Sequence, residues 1–266
     1  MPTRGLRGLD LRELWAYREL LYILTWRDLK VRYRQTFLGI LWVMAQPLVT
    51  MLFFTFFFNR VARIEAGRDI PYSVFVMAGL LAWNFFSMAA ASSGNSLIGS
   101  THLISKIYFP RLIIPAASVL TAVVDFCVAA LLLIGLMAWH QLLPPITIIV
   151  LPLLVVLALL LALGIGLWLS ALNVEYRDVR VVVPFLLQLW MYATPVVYPL
   201  KVLPETLQKL AVLNPMTGIV EAFRACVLGT ELDPLSLVVS AAGAVVLLGS
   251  GTIYFRTMER RFADLI

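Results

Sequence analysis

The sequence predicts an all-α integral membrane protein with six transmembrane helices. Three observations carry that reading. Hydrophobic residues make up 61% of the 266 residues and charged residues only 14%, against about 45–50% and about 25% in soluble domains. Six apolar runs are long enough to cross a hydrocarbon core of about 30 Å. The basic residues are also shared unevenly between the two sets of loops that those runs define.

The runs fall near 37–58, 72–92, 112–139, 146–172, 181–198 and 235–255. The whole chain, 1–266, is expected to form a single transmembrane domain without internal repeats. Residues 1–36, 93–111, 173–180 and 256–266 together hold 15 of the 21 Lys and Arg; 59–71, 140–145 and 199–234 hold the other six. The basic side is the cytoplasmic one, so both termini are expected inside. The net charge of +6 then reflects basic cytoplasmic loops rather than a nucleic-acid footprint.

The opening stretch MPTRGLRGLDLREL lacks the continuous apolar core of a cleavable signal, so the chain is expected to be retained entire. Residues LDLRELWAYRELLYILTWRDLKVRYR predict a partly amphipathic helix. Arg12, Glu19, Lys30 and Arg34 fall on one face at helical spacing, while Arg18, Asp28 and Arg32 break the pattern. The helix is expected on the inner leaflet, with Trp15 and Trp26 as headgroup anchors. The plainer alternative is a solvated linker.

In the first span Trp42, Gln46, Thr50, Phe53 and Phe57 recur on one helical face. In the second, Phe75, Trp83 and Phe86 make a similar stripe with Gly79, and Asn84 and Ser87 stand beside it. In the fifth, Gln188 and Tyr192 share a face with Trp190 nearby. Aromatic rings pack against the C–H faces of sugars while amides and hydroxyls meet sugar hydroxyls, so these stripes suit the wall of a path for a sliding glycan. The alternative is interhelical packing with aromatic belts at the ends; Phe54, Phe56 and Phe58 read as belt. The third span carries one deep acid, Asp125, which must be protonated, paired across helices or facing water. It is either a substrate-path residue or a helix–helix hydrogen bond. The fourth span has no charge at all. The fifth is the shortest and holds Pro184 and Pro195, with Pro199 just beyond, which predicts kinks or an early end.

The loops are as informative. Residues 97–109 predict a short cytoplasmic helix carrying His102, Lys106, Tyr108 and Phe109, ended by Pro110. Residues 173–180, NVEYRDVR, form a self-neutralising charged turn in which Glu–Arg and Asp–Arg pairing is expected. The external segment 199–224 is apolar enough to be half-buried. Pro204–Glu205 opens one short helix and Asn214–Pro215 a second, so a re-entrant element is expected in place of an ordinary interfacial loop.

No enzyme constellation is present. There is no GxxxxGK[ST] phosphate loop, no HExxH and no GxSxG elbow. Two histidines are too few for a histidine-based metal site, and Cys127 and Cys226 have no metal spacing. The chain is therefore expected to bind no cofactor or metal of its own and to carry no catalytic residue.

Four stretches carry a resemblance: WRDLKVRYRQTFLGILWVMAQPL at 26–48, LISKIYFPRLIIP at 103–115, LSALNVEYRDVRVVVPFLLQLW at 169–190 and LNPMTGIVEAFR at 213–224. Together, and in this order over nearly the full length, they resemble the permease subunit of ABC exporters for cell-surface polysaccharides, the O-antigen, capsule and teichoic-acid group. The resemblance implies a homodimer that pairs with two copies of a separate cytoplasmic ATPase, where ATP and Mg would bind. It implies a bacterial inner-membrane protein that threads a lipid-linked polysaccharide outward through a channel lined by spans one, two and five. Arg27, Lys30, Arg34, the 97–109 helix and the turn with Glu175, Tyr176, Arg177 and Asp178 would face the ATPase. Pro204, Leu207, Leu210, Asn214 and Pro215 would belong to an external gate. Two other readings stand beside it: an exporter permease for a small lipid or drug, and a membrane-embedded glycan-modifying enzyme.

Overall fold

The computed structural model describes residues 15–34, 40–63, 70–106, 109–176 and 178–259. All the regular elements among these residues are helices. They are α1 (Arg18–Arg34), α2 (Ile40–Phe54), α3 (Tyr72–Gly99), α4 (Thr101–Lys106), α5 (Ile113–Trp139), α6 (Leu151–Glu175), α7 (Val179–Ala193), α8 (Glu205–Val212), α9 (Pro215–Leu228) and α10 (Pro234–Glu259). α2 continues as a π-helical turn, Thr55–Val61, and α6 is preceded by a 3₁₀ turn, Ile146–Val150.

Among the described residues five helices are long and apolar enough to cross a membrane: Leu41–Val61, Tyr72–Gly99, Ile113–Trp139, Ile146–Glu175 and Pro234–Glu259. The sixth expected span, 181–198, is the 15-residue helix α7, which rises only about 22 Å. Its end has a local cause. Thr194 precedes Pro195, which disfavours helical backbone at Thr194, and Pro195 has no N–H to continue the ladder. The segment 199–224, expected to be re-entrant, holds a bent helix pair, whose length and composition suit either a broken span or a re-entrant loop. α8 and α9 meet at 95° across Leu213–Asn214, and α9 runs on to Leu228.

α3 is the axis of the bundle. Most of its central residues are buried, whereas α2, α5, α6 and α10 bury only one side. Lipid gives no hydrophobic force between helices, so close backbone approach and hydrogen bonds hold such a bundle together. Both are present. A Cβ at Gly164 of α6 would sit 2.6 Å from the Leu248 nitrogen of α10, so glycine is required there. Trp168 of α6 donates to Ser250 Oγ of α10 at 3.2 Å and stacks on Tyr254 with ring centroids 4.2 Å apart. Asn173 Nδ2 of α6 donates to the Gly94 carbonyl of α3 at 2.7 Å.

α1 is not a free linker. It runs along α5, with Thr25 Oγ1 reaching the Ala117 carbonyl at 3.4 Å and Arg32 and Tyr33 reaching Asp125. Trp15 and Trp26 stay exposed and Leu24 is buried. The 97–109 helix is corrected by the structure. Residues up to Gly99 belong to α3, Ser100 breaks the chain, and the separate helix is only Thr101–Lys106. Phe109 is buried beside Leu24 and Leu112, so it anchors this corner instead of protruding. Phe54, expected as belt, is also buried.

Candidate functional site

An open cleft of about 660 Å³ lies between α2, α3, α5 and α7. α2 supplies Gln46, Thr50 and Phe53, one helical turn apart each time. α3 supplies Trp83, Asn84 and Ser87, and α7 supplies Gln188 and Tyr192. Six of the eight were picked out by their spacing, and Asn84 and Ser87 as neighbours of the second stripe. α5 adds a wall that the stripes did not reveal: Ala122, Asp125, Phe126 and Ala129.

The polar groups differ in how committed they are. Thr50 Oγ1 donates to the Gln46 carbonyl at 2.8 Å and Ser87 Oγ to the Asn84 carbonyl at 3.3 Å. Each hydroxyl oxygen keeps acceptor capacity towards the cleft. The side-chain amides of Gln46, Asn84 and Gln188 have no hydrogen-bond partner among the described residues, leaving both donors and acceptors open. The surface thus offers uncommitted amides among aromatic rings, and its one carboxylate among the described residues, Asp125, is already engaged.

Asp125 sits near the middle of α5 and its side chain is 5% exposed. Its Oδ2 receives the Arg32 guanidinium and its Oδ1 the Tyr33 hydroxyl, both from α1. Arg32 also reaches Ser92 Oγ at 3.2 Å and Met88 Sδ at 3.7 Å on α3. Burial, reinforced by the Asp125 carboxylate, pushes the Tyr33 hydroxyl far above the usual phenol range, so it remains a donor. Of the readings open for Asp125, cross-helix pairing is the one observed. The signal was the isolated acid; its partner 93 residues away in sequence gave none.

The remaining stripe residues fall elsewhere. Trp42 and Phe57 are exposed outside the cleft, Phe57 against Phe53 with centroids 4.6 Å apart. Phe75 is buried under the Arg224 guanidinium, 3.7 Å from its ring centroid. Phe86 and Trp190 are packed inward. With Trp83 they form a triad with centroid separations of 5.3–6.0 Å. Trp83 is therefore both cleft wall and core, at 2% exposure.

The residues expected at the ATPase face are partly exposed. Lys30, Arg34, His102, Glu175, Tyr176 and Asp178 are on the surface. Arg27 is tied to Asp28 at 2.7 Å and reaches Ser100 at 3.5 Å. The Lys106 side chain, Tyr108 and Arg177 lie outside the described residues. Among the described residues Glu175, Asp178 and Arg180 form no ion pair with one another, so the expected self-pairing of this turn is not found there.

At the opposite end Pro204 precedes α8, and Leu207 and Leu210 are exposed on it. Asn214 is the junction of the bent pair. Its Oδ1 caps α9 through Met216 N at 3.1 Å and accepts from Trp190 Nε1 at 3.0 Å. Its Nδ2 donates to Thr194 Oγ1 at 2.8 Å. Pro215 occupies the first helical position, where a missing N–H costs nothing.

Residue Arg224 was not among the expected site residues. It is fully buried, and it joins α9 to the turn that follows α7. A cation in an apolar segment with Glu221 three residues before it was the available signal.

Comparison with known proteins places this geometry. A family model described as "ABC-2 type transporter" matches residues 19–228. The chain is 34% identical over 260 residues to the "O-antigen export system permease protein RfbA" of Myxococcus xanthus, covering 96% of this chain and 98% of that one. It is 28% identical over 249 residues to the protein of the same name from Klebsiella pneumoniae, covering 93% and 95%. It is 25% identical over 239 residues to the "Polysialic acid transport protein KpsM" of Escherichia coli, covering 88% and 91%.

Proposed function

Because the chain belongs to the ABC-2 type transporter family, as a multi-pass membrane permease and not an enzyme, we propose that it forms the channel of an exporter for a lipid-linked polysaccharide. Two copies face each other across the cleft, and the joined clefts make an aqueous path through the bacterial inner membrane. Both termini are cytoplasmic. Two copies of a separate ATPase bind ATP and Mg and dock against α4, the exposed end of α1 and the 175–178 turn. The bent pair α8–α9 closes the outer end.

One observation carries this reading: six stripe residues picked out by spacing, with Asn84 and Ser87 beside them, line a single cleft whose amides are uncommitted. Such a wall grips no one sugar tightly and so lets a chain slide. The names of the relatives support the same substrate class. A capsule or teichoic-acid type glycan fits the wall equally well. The lining does not distinguish them, because stacking and amide contacts are common to all sugars.

The test is co-purification with a partner ABC ATPase, followed by ATP-dependent movement of a lipid-linked glycan in proteoliposomes. Transport of the glycan upholds the reading. Transport of the lipid or of small amphiphiles irrespective of an attached glycan would replace it with a small-lipid or drug exporter. Within that assay Phe53→Ala is the cleaner aromatic probe, because Phe53 lines the cleft and is exposed, and it should impair export. Trp83→Ala also opens a core cavity, worth about 3–5 kcal/mol.

A further inference from the structure

Arg224 is the largest fully buried side chain among the described residues. Its Nη1 donates to the Pro195 carbonyl and to Glu221 Oε1, each at 2.7 Å. Its Nη2 donates to the Val196 carbonyl, and its plane lies over Phe75. Nε has no partner among the described residues. A buried ion pair is weak as a source of stability, because desolvation offsets the Coulomb attraction. Here one donor is also left unsatisfied. An apolar side chain would fill the space more cheaply, so the arrangement is explained by what it positions.

What it positions is the end of the cleft wall. Gln188, Met191 and Tyr192 line the cleft from α7, and the chain then turns at once through Thr194–Tyr198. The carbonyls of Pro195 and Val196 are freed because α7 has stopped and no strand takes them. Arg224 gathers both with one planar fork, which a point charge cannot do. Two neighbours complete the clamp. Tyr72 Oη of α3 donates to the Val197 carbonyl at 2.5 Å. Gly79 of α3 leaves the space that the fork needs, since a Cβ there would lie 2.5 Å from Arg224 Nη2 and would strike the Val196 carbonyl.

We infer that Arg224 is a positioning residue for translocation. It locks the bent pair α8–α9 to the α7 turn, so that the hairpin and the α7 wall of the cleft move as one piece. This rests on the reading of the cleft as the export path. It assigns regulation of the outer end to a buried residue that touches no substrate.

The experiment uses the full-length chain with its ATPase in membrane vesicles, in a Cys127→Ser background, so that of the two native cysteines only buried Cys226 remains. The probe is N-ethylmaleimide, and glycan export is measured in parallel. Wild type should label slowly. Arg224→Gln and Gly79→Ala should label Cys226 at least about tenfold faster. Arg224→Lys keeps the charge and the Glu221 partner but not the fork. It should keep normal yield and melting temperature while export falls by about tenfold. A purely structural role predicts that Lys rescues export together with the fold, so wild-type export by Arg224→Lys overturns the inference. Wild-type labelling of Cys226 in Gly79→Ala overturns it as well, even if Arg224→Gln is not recovered in membranes. If the wild-type complex moves no glycan, the export reading fails, while the labelling still decides whether the clamp exists.

Discussion

Asp125 shows what one residue can reveal. An unpaired charge at the membrane centre costs about 2.5–3.5 kcal/mol on insertion scales, so an acid in an apolar run demands a partner. That demand was legible in the sequence; the identity of the partner was not, because Arg32 sits on a helix that interrupts its own amphipathic pattern there. The structure turns the two irregularities into one explanation: the charge that spoils the face of α1 is the charge that α5 needs. Arg32→Ala should therefore destabilise the chain by about 2.5–3.5 kcal/mol. Because Arg32 is itself 34% exposed, water relieves part of that cost and the lower figure is expected. Adding Asp125→Asn should restore most of the loss, since a neutral amide still accepts from Tyr33. Thermal unfolding of the four proteins of the cycle in detergent reads this directly. A loss in the double variant equal to the sum of the two single-variant losses would show that the pair is not coupled.

The elements divide between those that periodicity announces and those that tertiary contacts create. The long spans were legible, because apolar runs of this length have no alternative use in water. The early end of α7 was legible from Pro195 and Pro199. The extent of α4 was not. Residues 97–99 continue α3 because Leu97 has a buried place to fill, which no propensity records. Nor could the 95° bend at Asn214 be read off, although Asn–Pro marked its position. Asn214 offers the sharpest test at this scale, since it caps α9 and also bonds Trp190 and Thr194 of the α7 end. Asn214→Ala should lower stability by about 1–2 kcal/mol, as loss of an N-cap does, and should impair export. Asn214→Asp keeps the cap acceptor but loses the donor to Thr194. It should recover the melting temperature more fully than the export rate. The same recovery in both measurements would confine Asn214 to capping.

At the scale of the whole molecule, the sequence could not say which apolar faces meet lipid and which meet protein. Both environments are equally greasy, so hydrophobicity does not sort them. Six stripe residues reached the cleft with Asn84 and Ser87 beside them, while Phe75, Phe86 and Trp190 turned into the core, and spacing alone carries no sign for that choice. The cleft is open, and in the proposed dimer a facing copy would complete it. In a chain free of both native cysteines, Gln46→Cys and Gln188→Cys should cross-link between protomers in membranes through a short bifunctional maleimide. The product should run at twice the protomer mass. Failure at both positions, with intact protein, would mean that the clefts do not oppose each other.

Two of the four helices around the cleft, α2 and α7, bury few residues in the bundle. Of α7 only Val183 and Leu187 are buried, and α2 carries Pro47 within it and a widened turn at its far end. Like the loose staves of a barrel whose other staves are glued to a central post, they will yield first when force is applied at the rim. In the proposed exporter, work done at the ends of this protein would thus be delivered to the width of its opening, with the post formed by α3 left where it is.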